Sequence, residues 1–414
     1  MKVKISSYSY ISLFSIFVIL MALSLNQSSV IFGVNISISD IFICFIFLNL
    51  LLNNNILIPK KELLFFILLC ISVIFTSIFV VPIIFKFNVN INHIFKDYFK
   101  LLVLIMYFIV GYSLYRLNYS KKILKFFSIG TIIICLISIL YFIFRFSFYR
   151  DIFFYGNERF RGLMNDPNYF SIIQLAGLTY FLRNSEIKAK YRILSILLLG
   201  FSIFFSGSKT GFISMIIYFF IYFMSKLKNK KIEKVFFLLI IIILIIPLAM
   251  IIFIEYYTII RDTMTKWLPV TQRIFAIFDD FGKAFSSDGS IRLQVWLISL
   301  KLLEKSPILG IGIGTYVDLS KFLYNYGMVA HNTYLQIIVE WGVILFFISM
   351  FYLFRNVFCC KGNKRTEVVI IRDMIIVLLI GSLAISLNNS RILWMLIGMI
   401  ASNNREVKIK HENN

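Results

Sequence analysis

The stretch 60-KKELLFFILLCISVIFTSIFVVPIIFK-86 decides the fold class. From 63 to 85 no residue carries a charge, and lysines stand on both flanks. A helix that crosses a bilayer needs about 20 consecutive apolar residues, set by a hydrocarbon core about 30 Å thick. This run meets that length. Its apolar residues are continuous, without the period-two alternation of a barrel strand, so it reads as a transmembrane helix.

The pattern repeats outward in both directions. Hydrophobic residues make up 60% of the chain and charged residues only 15%, with a mean hydropathy of +0.87. A soluble domain of this length could not bury so much apolar surface. The class is therefore a polytopic all-α membrane protein, and we read about twelve spans: 9–25, 38–53, 63–85, 98–116, 123–144, 168–183, 192–206, 209–225, 235–254, 333–354, 370–387 and 390–403. The N-terminal stretch has the look of a signal peptide, but other spans follow and no A-x-A site appears, so it reads as an uncleaved first span.

The net charge of +22 suggests nucleic-acid binding until it is mapped. Lys2/Lys4, Lys60-Lys61, Arg116 with Lys121-Lys122, Arg183 through Arg192, Lys226 through Lys234, Arg355 through Arg365 and Arg405 through Lys410 all fall in alternate loops. The positive-inside rule makes that side cytoplasmic and puts both termini there. The basic charge is thus topological, and nucleic-acid binding is set aside. Five cysteines, Cys44, Cys70, Cys135, Cys359 and Cys360, form no disulfide framework or metal-ligand spacing. Neither an internal repeat nor a low-complexity linker interrupts the chain.

The opposite face holds everything unusual. It divides the chain into an N-terminal transmembrane bundle (1–254), a large extracytoplasmic loop (255–332), and C-terminal transmembrane helices with a cytoplasmic tail (333–414). Long loops in compact chains are usually functional or disordered. This one carries Trp267, Trp296 and many aliphatic residues, so it should hold short helices and pack on the membrane surface. One such helix should start at Ser290 as N-cap. It should carry an amphipathic stripe of Ile291, Leu293, Trp296, Leu297, Leu300 and Leu303, and end at Pro307.

Four clusters on that face carry chemistry. In 158-ERFRGLMNDPNYFS-171, Asp166-Pro167 has the form of a helix start, with Asp as N-cap and Pro at N1. Arg159 and Arg161 precede it on the side the rule depletes of basic residues. They are either interfacial arginines or a forked phosphate clamp. In 206-SGSKTG-211 the Gly-Lys adjacency of a P-loop is broken by Ser208. The segment is a tight helical hairpin, or a place where Lys209 meets an anion. In 289–316, Arg292 and Trp296 share a helix face, and Gly310, Gly312 and Gly314 make a close-approach turn. In 327-GMVAHNTYLQIIVEWG-342, His331 and Asn332 open a span. The pair is a helix cap, or His331 is a base for a hydroxyl. Glu340, inside that span, is an expensive buried carboxylate. Several cations with one imidazole and no metal cluster suit a substrate with a phosphate-rich leaving group and a lipid tail.

These residues resemble the O-antigen polymerase and O-antigen ligase superfamily of envelope glycosyltransferases. His331-Asn332, nine residues, then Gly342 is similar to the ligase-type motif, with Leu345 departing from its next position. Arg292-x-x-x-Trp296 is similar to an Arg-x-x-x-Leu element. The run Arg161 to Phe170 is more like repeat-unit polymerases. The resemblance implies a GT-C-like fold and a metal-independent, inverting transfer on the extracytoplasmic face, with no cofactor. The donor would be a glycan on undecaprenyl pyrophosphate, and the acceptor another lipid-linked repeat unit in O-antigen or capsule synthesis. A ligase would instead use lipid A-core. By motif position His331 is the base, Arg161, Arg292, Arg159 and Lys209 bind pyrophosphate, and Asp166 and Asn332 are structural partners of the site. A flippase and a chain-length regulator would be the protein partners. A non-enzymatic flippase fits the span count but not one dominant outer loop. A peptidoglycan-type polymerase would need a carboxylate from Asp279, Asp280 or Asp288.

Overall fold

The computed structural model describes residues 12–28, 36–144, 150–156, 159–227, 255–358 and 365–412, with backbone alone at 281–291 and 408–412. The predicted span at 235–254 lies outside the described residues, as does the start of the first. Each of the others corresponds to a helix: α1 Leu13–Ser24, α2 Ile38–Leu52, α3 Lys60–Phe85, α4 Ile91–Arg116, α5 Ser120–Phe144, α6 Pro167–Arg183, α7 Ala189–Phe205 and α8 Lys209–Leu227. After α9 (255–267), α10 Gln272–Asp279, α11 Phe281–Lys305 and α12 Tyr316–Tyr324 come α13 Thr333–Phe358, α14 Thr366–Gly381 and α15 Arg391–Glu412. Among the described residues, α3, α4, α5, α8 and α13 are long and apolar enough to cross a membrane by themselves, and α1 and α2 are shorter apolar helices. The chain is an all-α membrane protein, and the strands among the described residues are the antiparallel pair Phe154–Tyr155 and Arg159–Phe160.

Where helices pack most closely, glycine permits it. Gly111 of α4 meets the main chain of Met395, and Gly398 of α15 meets the main chain of Phe108. Bilayer lipid gives no hydrophobic drive between helices, so close backbone approach and polar contacts must hold them. Both occur here. Arg391, the first residue of α15, grips Asp40 of α2 with two bonds, Nε to Oδ1 and Nη2 to Oδ2, each 2.6 Å. Tyr107 of α4 donates to the same Oδ1 at 3.0 Å. A second pair, Arg183 Nε to Asp373 Oδ2 at 2.6 Å, ties α6 to α14. α6 is buried along most of its length.

The outer segment does not lie wholly on the surface. Residues 307–314 push into the bundle and meet α13 where that helix is broken. Gly342 has φ 77° and ψ 166°, so α13 cannot continue its own hydrogen bonding there. The incoming chain supplies it: Ile311 N donates to Val339 O at 2.8 Å, Gly312 N to Glu340 O at 3.0 Å, and Val343 N to Pro307 O at 2.9 Å. Non-helical backbone at membrane depth survives only when protein satisfies it. Gly310, Gly312 and Gly314 have φ between 70° and 74°, and main-chain atoms stand where a Cβ of each would sit, so the close-approach turn read from sequence is present. On its far side, α3 turns π-helical over Thr76–Val80, and Ser77 Oγ donates to Ile313 O at 2.8 Å.

Two details of the loop differ from the sequence reading. α11 begins at Phe281 and runs through Gly289 and Ser290, so Ser290 is not an N-cap. Glycine inside a helix costs only about 1 kcal/mol, and the longer helix overrides that local start signal. Its buried face is Val295, Ser299 and Leu302, while Leu293, Leu297 and Leu300 are exposed. Three residues of the apolar stripe therefore look outward, while Trp296 and Leu303 are half-buried. α9 likewise leaves Tyr256, Ile259, Met264 and Trp267 exposed, the face that a helix lying in a lipid interface requires. His93 at the start of α4 pins α12 through Asp318, Nδ1 to Oδ2 at 2.6 Å.

Candidate functional site

The four clusters read from sequence meet at one end of the bundle, built on helix starts. Asp166 caps α6: its Oδ1 accepts from Asn168 N at 2.7 Å and Tyr169 N at 3.2 Å. Pro167 follows at N1, where its missing N–H costs nothing. Asn332 caps α13 in the same way, accepting from Tyr334 N at 3.0 Å and Leu335 N at 3.1 Å. Each thus fixes the start of a helix by short-range contacts to its own chain.

Arg159 and the 206–211 turn are joined by a residue that the sequence reading passed over. Asn168 Oδ1 accepts from Arg159 Nη2 at 3.1 Å and from Ser208 Oγ at 2.8 Å. Arg159 Nε also donates to Ser206 O at 3.2 Å. Ser208 Oγ accepts from Gly211 N at 2.9 Å, which starts α8 next to Lys209. In sequence, Asn168 looks like an ordinary first-turn residue, and only its partners distinguish it. Arg161 donates to three main-chain carbonyls: Nε to Ile152 O, Nη1 to Asn165 O and Nη2 to Asp151 O, at 3.2, 3.3 and 2.7 Å. It folds the strand hairpin onto the cap.

Arg292 and His331 are set differently. Neither makes a hydrogen bond or an ion pair among the described residues. Trp296, one turn beyond Arg292 on α11, donates Nε1–H to Ala330 O at 3.1 Å, so α11 is docked against the segment that carries His331. His331 adopts φ 48°, a sparsely populated conformation for a residue with a side chain. Asn332 and the cap that follows hold it there. Burial pushes the imidazole below its ordinary value of 6.5, the Arg292 guanidinium pushes it down further, and the Asp166 carboxylate partly opposes them. Residues 166, 292 and 331, far apart in the chain, are thus within electrostatic reach of one another. Above pH 6.5 the imidazole is neutral, with a lone pair for a proton.

Glu340 is buried in α13 two turns below and accepts from Gln336 Nε2 at 2.9 Å. It stands beside the inserted chain, since its own carbonyl accepts from Gly312. Asp279 is engaged elsewhere, accepting from Tyr257 and Arg261.

An integral membrane helical protein that gathers a neutral imidazole and cations at the mouth of a span is suited to handling an anionic, lipid-borne substrate. Comparison with known families is more specific. Residues 194–350 match the family model described as O-antigen ligase, in keeping with the resemblance to the O-antigen polymerase and ligase superfamily. That stretch includes Lys209, Arg292, His331, Asn332 and the Gly342 break, but begins after Arg159, Arg161 and Asp166. No curated protein matches the chain.

Proposed function

We propose that the protein polymerises oligosaccharide repeat units carried on undecaprenyl pyrophosphate, for O-antigen or capsule, at the extracytoplasmic face of the plasma membrane. The observation that carries this reading is the convergence of His331, Arg292 and Asp166 at one mouth, with the imidazole held neutral. The acceptor hydroxyl attacks the anomeric carbon of the donor sugar from the face opposite the pyrophosphate. The carbon–oxygen bond to pyrophosphate breaks, and configuration inverts. The hydroxyl proton passes to His331, and the charge that develops on the leaving pyrophosphate is met by Arg292, whose fork is preorganised for phosphate oxygens. Lys209 stands on the same rim. Arg159 and Arg161 act by fixing the hairpin and the turn that shape this rim.

The polymerase reading is favoured by the run Arg161 to Phe170 and by Leu345. Ligation to lipid A-core is the second reading, favoured by the match over residues 194–350. In both, a twelve-span, GT-C-like topology puts the site outside and both termini in the cytoplasm. The surface glycan of a deletion strain tests the choice. A single repeat unit on the core is the outcome expected for a polymerase. Bare core with lipid-linked polymer accumulating would overturn that in favour of a ligase, and an unchanged glycan would overturn both.

A further inference from the structure

A cavity of about 960 Å³ runs alongside α13, away from the hydrogen-bonded clusters. At one end it is lined by Thr333 and Asn388, next to the candidate site. At the other it is lined by Lys61, Arg355 and Arg405. These three belong to α3, α13 and α15. Two contacts put them at one level: Tyr352 of α13 donates to Glu62 Oε1 of α3 at 3.1 Å, and Asn404 Nδ2 of α15 donates to Asn356 Oδ1 of α13 at 2.9 Å. Between the ends the walls include Phe66, Phe108, Trp341 and Trp394.

Basic residues at the inner ends of spans are ordinary. Their arrangement here is not. None of Lys61, Arg355 and Arg405 has a hydrogen bond or an ion pair among the described residues. Three sequence-distant helices aim them at one cavity. Glu62, the acidic residue in that lining, is held by Tyr352 and leaves the group net positive. Asn356, Asn403 and Asn404 add neutral polar groups to the lining, its wall between the ends is largely aromatic and aliphatic, and the volume is that of a cavity built for a ligand. An occupant must carry a negative headgroup at one end and a hydrocarbon chain at the other.

We propose that this cavity binds one anionic glycerophospholipid of the cytoplasmic leaflet, its phosphate at Lys61, Arg355 and Arg405 and an acyl chain between Phe66, Phe108, Trp341 and Trp394. The lipid braces α3, α13 and α15, the helices that carry or flank the Gly342 break. The headgroup end lies at the opposite end of the cavity from Thr333 and the candidate site, and lipid binding there does not depend on the glycosyl-transfer chemistry.

Native mass spectrometry of the full-length protein in detergent, titrated with dioleoyl phosphatidylglycerol or dioleoyl phosphatidylcholine, tests it. Because each cation near an anionic lipid surface strengthens attachment roughly fivefold, three together should give a preference for phosphatidylglycerol of about a hundredfold. It should fall to near unity in the Lys61→Gln/Arg355→Gln/Arg405→Gln variant. Ser349→Phe, which narrows the cavity and leaves the cations in place, should also lose the bound lipid. Equal retention of both lipids by the wild-type protein overturns the proposal, as does a preference that survives either variant. Displacement of phosphatidylglycerol by inorganic phosphate alone would make the site one for a small anion. Stronger binding of undecaprenyl phosphate would make it the carrier's own tail groove. Either result would also overturn the proposal. The wild-type titrations decide the matter even where a variant does not fold.

Discussion

Arg391 and Arg292 stand at the same end of the molecule and are arranged in opposite ways. The 382–387 segment, just before Arg391, is hydrogen-bonded to Thr333, two residues from His331, so the two arginines share one neighbourhood. Arg391 has given a bidentate grip to Asp40, and Tyr107 completes that carboxylate. Arg292 has its donors uncommitted among the described residues, beside an imidazole held neutral. A saturated arginine holds helices together, because breaking a buried pair strands a charge. An unsaturated one close to a base is available to a substrate. The difference teaches that a cation's partners, more than its position, sort structure from chemistry in this protein. Arg159 and Arg161, bonded to main-chain carbonyls and Asn168, fall on the structural side.

The sharpest way to break the comparison is at its open half. His331→Ala should abolish long polymer at normal protein level, a loss of about 10²–10⁴-fold in transfer rate, the usual worth of a general base. An unchanged chain-length ladder on a gel would remove His331 from the chemistry. Arg292→Lys should cost about 10²-fold, since an ammonium cannot reproduce the fork. Arg161→Ala, measured beside it, should cost far less in rate and more in protein level. A wild-type ladder in the Arg292→Lys strain would place that residue with Arg391.

The closed half should fail differently. Asp40→Asn removes the charge that Arg391 needs and should lower stability by about 3 kcal/mol, read as a fall in the thermal midpoint of purified protein. An unshifted midpoint would mean that the pair is not what fastens α2 to α15. The smallest effect concerns pH. Neutral His331 accepts the proton, and its pKa lies below 6.5, so activity should hold at pH 7 and fall only on acidification below 6.5. Asp166→Asn keeps the helix cap, because Asn caps as well as Asp. It also removes the carboxylate that raises the His331 pKa, so the acid limb should move to lower pH. A limb that moves upward would contradict the electrostatic assignment.

Much of this was legible in the chain. Hydropathy located the helices, since a bilayer leaves few other solutions for such runs. His331, Asn332, Asp166 and the glycines at 310–314 were visible because caps and tight turns restrict residue type at short range. Asn168 was not, because its role lies in contacts from Arg159 and Ser208, about 10 and 40 residues away. Asp40 and Arg391 were hidden for the same reason on a larger scale. Ser290 misled, because a local start signal of small energy is overruled when the helix extends further towards its N-terminus. That α11 buries Val295, Ser299 and Leu302 rather than its more apolar side makes sense only with lipid on the outside.

The broken helix at Gly342 also sets an order of assembly. Its orphaned carbonyls at 339 and 340 are filled by chain made earlier, 311 and 312. That pairing can close only after both stretches have been synthesised, so residues 307–314 reach their final place no sooner than the broken half of α13 does.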